Sequence, residues 1–107
     1  MIQVTYHRLY NRVTVVGHAG SGPEGHDLVC SAVSALALTL AGNVSYMESQ
    51  EAVRNVTIKL DAGDAEIQCT AYRRYKDSVK QIYSAICVGF ELLATKYPDN
   101  ISYEVIV

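Results

Sequence analysis

Between Asp27 and Glu48 the chain carries no charged side chain. In that stretch, "LVCSAVSALALTLAGNVSYM", the polar residues are mostly small and the apolar ones cover nearly every side of a helix, which predicts a helix buried on most of its surface. Such a helix needs other elements to cover it. Its cleanest apolar run, Leu28 to Leu40, is about 13 residues long, short for a membrane span and suited to a core helix.

The flanking segments have period two. Ile2, Val4 and Tyr6 alternate in "MIQVTYHRLY", and "NRVTVVGHA" continues as a second strand after the turn signal at Asn11. That strand places Val13, Val15 and Gly17 on one side and Thr14, Val16 and His18 on the other, with His18 at its end on the rim of the sheet. Further on, "VRNVTIKLDAGDAEIQCTAY" forms a second hairpin around "DAGD". In "KDSVKQIYSAICVGFELLATKYP" the residues Val79, Ile82, Tyr83, Ile86, Phe90, Leu93, Ala94 and Tyr97 recur at steps of three and four, the stripe of an amphipathic helix that Pro98 ends. "ISYEVIV" closes the chain as a strand. The order ββαββαβ implies an α+β fold, a single domain over residues 1–107 with two helices packed on one mixed β-sheet.

At 107 residues the chain can bury a core of its own. Its formal net charge of −2 argues against tight binding to a phosphate backbone, and the one basic cluster, "YRRYK" from Tyr72 to Lys76, reads as a solvated edge. No direct nucleic-acid or membrane partner is expected. Cys30, Cys69 and Cys87 are odd in number, lack CxxC spacing and follow no secretory signal, which points to a reducing cytoplasm.

The chemistry concentrates in "GHAGSGPEGHDLVCSAVSAL", residues Gly17 to Leu36. Asp27 is a natural N-cap for the first helix, which would put Cys30 in the first helical turn, where unpaired N–H groups and the positive end of the macrodipole favour a thiolate. Asp27, Cys30 and Ser34 share one helical stripe. A nucleophilic thiol needs a base, and His18, held at a strand end, suits the role better than His26 in the loop. Gly17, Gly20, Gly22 and Gly25 would let the loop lie close over a peptide. Cys69 and Cys87 have no nearby histidine and read as core, and His7 as structural or exposed. Ser34 packs under the site or bonds back to the helix carbonyl one turn earlier. No metal or other cofactor is called for.

At these residues the sequence resembles the bacterial ribosomal-processing cysteine proteases of the Prp family. The resemblance lies in "GHA" at Gly17 to Ala19 and "GHDLVCSAVSAL" at Gly25 to Leu36, and more loosely in the order of elements and the "YPDNISYEVIV" ending. It implies a cysteine endopeptidase with His18 as catalytic histidine, Cys30 as nucleophile, and Asp27 and Ser34 shaping the site. The expected substrate is a large-subunit ribosomal protein whose N-terminal extension is removed after a motif with an aromatic residue, and the expected assembly is a homodimer. Here Ser21 stands where relatives often have an aromatic residue. Two other readings are a non-catalytic ribosome-assembly module that holds a peptide with the glycine loop, and a redox-sensing thiol protein.

Overall fold

A computed structural model describes residues 1–18 and 25–107, with the side chains of residues 25–27 outside that description. The strands are β1 (Ile2–His7), β2 (Arg12–Val16), β3 (Val53–Asp61), β4 (Asp64–Ala71) and β5 (Ile101–Ile106). Helix α1 (Gly25–Ser49) follows β2, and α2 (Lys76–Lys96) follows β4. This is the ββαββαβ order read from the sequence, with two short 3₁₀ turns added at Arg8–Tyr10 and Arg73–Tyr75.

The five strands form one mixed sheet in the order β3-β4-β2-β1-β5. Four strands are joined antiparallel, and β5 lies parallel to β1 at the edge, in the register Ile2↔Ile101 and Val4↔Tyr103. Alternation decides which face is covered. Ile2, Val4, Tyr6, Val13, Val15, Ala65, Ile67, Cys69 and Ile101 point to the helices and are buried. The other face carries Thr14, Gln68 and the Arg12–Glu66 ion pair at 2.8 Å.

Helix α2 behaves as its stripe predicts. Val79, Tyr83, Cys87 and Phe90 are buried, and Ile82, Ile86, Leu93, Ala94 and Tyr97 pack beside them. The rings of Tyr6 and Tyr83 stack at 6.0 Å between sheet and helix. Lys80 donates to the Arg8 carbonyl and to Asn11 Oδ1 at 2.9 Å, tying α2 to the β1–β2 connection, where Asn11 turns the chain in the left-handed region at φ 47°.

Helix α1 departs from expectation in two ways. Val29, Val33, Ala37, Leu40, Ala41, Val44 and Met47 are buried, but only about a third of its long apolar stretch is covered. Leu28, Leu38 and Tyr46 are exposed, because a single sheet layer and α2 cover one side, and the outer side is mostly Ser, Thr, Ala and Gly. By length and composition alone the stretch Leu28–Ser49 could cross a membrane. The second departure is at the start. The helix begins at Gly25, so Asp27 lies in its first turn rather than at the N-cap, and Cys30 is its sixth residue, in the second turn. The N–H groups without intrahelical partners therefore lie in the turn ahead of Cys30.

Candidate active site

β2 ends at Val16, two residues before His18, because Gly17 leaves the extended conformation at φ +101°. Only glycine fits there: a Cβ on Gly17 would lie 2.4 Å from the Met1 carbonyl oxygen. The Gly17 N–H donates to the Gly63 carbonyl at 2.9 Å, which fixes the end of β2 to the two-residue turn, Ala62–Gly63, of the β3–β4 hairpin. His18 emerges just beyond this anchor, exposed to solvent, with its imidazole against Gly63.

Cys30 is half-buried on α1 and reaches the same place from above the sheet. A cleft of about 460 Å³ has Val15, Gly17 and His18 on its floor and Cys30, Val33, Ser34, Ala37 and Leu38 along the helix wall. The helix spacing explains that wall, since steps of three and four keep these side chains on one face. The opposite wall is the hairpin from Leu60 to Ala65. Sequence reasoning did not reach this third wall. "DAGD" is legible as a turn, but nothing local says that β4 pairs with β2 and so carries the turn to His18.

His18, Cys30, Ser34 and Gly17 thus meet at one cleft. Gly25 opens α1. Gly20 and Gly22 lie outside the described residues, as do the side chains of His26 and Asp27. The other two thiols have a different setting. Cys69 is buried and its pKa is raised by burial, although a hydrogen bond from Tyr83 at 3.7 Å opposes this. Burial pushes Cys87 up from an ordinary 9.0 to about 11. Both are held as neutral core thiols, which leaves Cys30 as the cysteine a peptide could reach. Among the described residues no group of three His, Cys, Asp or Glu side chains could hold a metal ion.

A family model, that of the cysteine protease Prp, matches residues 1–102. The chain belongs to the Prp family of cysteine proteases. Its structure is similar to that of SMU.848 from Streptococcus mutans, at 28% identity and a TM-score of 0.72, over 99% of this chain and 94% of that one. It also shares its fold with an essential ribosomal processing protease, Prp from S. aureus. That protein in complex with a covalently linked product peptide gives 22% identity and a TM-score of 0.69, and in complex with a substrate peptide 21% and 0.70; both comparisons cover 98% of this chain and 97% of that one. No curated protein sequence matches the chain. The Prp assignment makes this α+β domain a cysteine protease, and the resemblance read from "GHA" and "GHDLVCSAVSAL" holds.

Proposed function

We propose that this Prp protein is a cytoplasmic processing endopeptidase that removes the N-terminal extension of a large-subunit ribosomal protein with a His18–Cys30 dyad. The carrying observation is that His18, two residues past the end of β2, and Cys30, on α1, line one cleft open to solvent. His18 takes the thiol proton. The Cys30 sulfur attacks the scissile carbonyl carbon, and the tetrahedral oxyanion is held by N–H groups of the first turn of α1. As the intermediate collapses the C–N bond breaks, His18 protonates the leaving amine, and an acyl-enzyme remains. Water, deprotonated by His18, then releases the carboxylate product and restores the thiol.

The apolar lining, Val15, Val33, Leu38 and Leu60, suits an aromatic or large aliphatic side chain next to the cut. Ser34, one turn beyond Cys30 on the same wall, shapes the cleft. Free thiols at Cys30, Cys69 and Cys87 are compatible with a reducing compartment. The working form is a homodimer, for which the exposed Leu28 and Tyr46, on one face of α1, provide apolar surface.

The test is to incubate the protein and its Cys30→Ala variant with the N-terminally extended ribosomal protein and to measure intact masses. One defined cut, made by wild type and absent with the variant, is expected. An uncut precursor that binds wild type and variant equally would refute the protease reading.

A further inference from the structure

We infer that Gly63, on the β3–β4 turn, is a positioning residue for the catalytic histidine; the inference rests on the His18–Cys30 reading above. Gly63 acts on His18 in two ways. Its carbonyl accepts the Gly17 N–H at 2.9 Å, which fixes the backbone immediately before the histidine. Its missing side chain provides the seat for the ring, since a Cβ on Gly63 would lie 2.6 Å from both Cε1 and Nε2 of His18 and 3.4 Å from Cδ2. No real carbon sits that close, so with any other residue there the imidazole must leave its place.

The left-handed backbone of Gly63, at φ +73°, is a separate requirement that the turn itself imposes. The two needs can be separated by substitution. Asparagine tolerates this backbone region far better than alanine but carries a Cβ. Gly63→Asn therefore keeps the turn and the carbonyl anchor and takes away only the seat. The atoms that must give way are the end of an exposed side chain, so the fold is spared and the cost falls on the geometry of the base. A displacement of about 1 Å in a reacting group can reduce rate roughly 100-fold.

The experiment compares wild type, Gly63→Asn and His18→Ala for kcat and KM on the precursor, alkylation of Cys30 by iodoacetamide, and thermal midpoint. The expected result for Gly63→Asn is a midpoint close to wild type, KM little changed, kcat lowered by about 100-fold, and alkylation slowed toward the His18→Ala rate. A folded Gly63→Asn protein with wild-type kcat and alkylation, beside an inactive His18→Ala, overturns the role of Gly63 and leaves the dyad standing. Full activity in His18→Ala overturns the dyad and this inference together. Wild type alone gives an independent check by NMR: a nuclear Overhauser effect between His18 Hε1 and the Gly63 α protons is expected, and its absence refutes the seat.

Discussion

Gly17 and Gly42 should respond in opposite directions to the same substitution. At Gly17 the φ of +101° strains any residue with a side chain, by about 1–3 kcal/mol. The added Cβ also meets the Met1 carbonyl oxygen at 2.4 Å, a backbone atom that cannot swing aside as a side chain can. Relieving that contact pulls the end of β2 away from the turn and weakens the Gly17–Gly63 hydrogen bond, at about 1 kcal/mol. Lower entropy of the unfolded chain returns about 0.4–1 kcal/mol. Gly17→Ala is therefore expected to destabilise by about 2 kcal/mol. Gly42 is inside α1, exposed, and a Cβ there would have nothing within 4 Å. Gly42→Ala should stabilise by about 0.8–1 kcal/mol from helix propensity alone. For a domain of this size 1 kcal/mol moves the thermal midpoint by about 4–8 °C, so the two variants should melt about 15 °C apart, on either side of wild type. Circular dichroism melts with urea midpoints at constant slope measure this directly. A Gly17→Ala protein that melts within about 2 °C of wild type, at most half of what 1 kcal/mol should produce, would refute the steric argument.

Two further outcomes follow from the core between sheet and α2. The Tyr83 hydroxyl donates to the Ile67 carbonyl at 3.2 Å, whereas the buried Tyr6 hydroxyl has no hydrogen-bond partner among the described residues. Tyr83→Phe should cost about 1 kcal/mol and Tyr6→Phe should be neutral or slightly stabilising, which urea denaturation of the pair will show; equal losses would contradict it. Burial raises the pKa values of Cys69, Cys87, Tyr6, Tyr83 and Tyr103, so the unfolded chain releases these protons before the folded one. Their contribution is whole below the ordinary thiol value of 9.0 and is lost as pH climbs toward the folded values, about 11 for Cys87. Lys80, lowered by burial and by Arg8 and Lys76, acts in the opposite sense, but it is one half-buried group against five. The urea midpoint should fall between pH 8 and pH 10.5, and less steeply in Cys87→Ala; a flat or rising midpoint in wild type counts against this assignment.

Strands and helices were legible where one physical rule acted alone. The α2 stripe, the alternation of Ile2, Val4 and Tyr6, and the "DAGD" turn each follow from local chemistry, and each is where the sequence put it. Where two rules coincide, the reading failed. Aspartate is favoured both at an N-cap and in the first turn, so its presence at position 27 does not place the start of α1, and the first helical residue, Gly25, is three residues earlier than an Asp27 N-cap implies. Absence of charge from Leu28 to Met47 suggests burial over most of the surface, yet serines, threonines, alanines and a glycine sit in water at little cost, and the sheet covers one side only. Alternation alone puts His18 at a strand end; Gly17 ends the strand earlier and aims the histidine at the hairpin. Local pattern does show that His18 and Cys30 flank one loop. That Gly63 joins them depends on β2 pairing with β4, a contact between distant residues that no window of sequence contains.

The β2–β4 seam also determines when during folding the cleft can exist. Each hairpin closes through contacts near in sequence, which form early, whereas joining them requires residues such as Thr14 and Glu66 to find each other across the whole of α1. His18 belongs to the first hairpin's end, Cys30 to the intervening helix, and the Leu60–Ala65 wall to the second hairpin. A nascent chain with one hairpin formed thus holds a histidine and a thiol but no walled cleft, and the three walls come together only with the long-range step that joins β4 to β2.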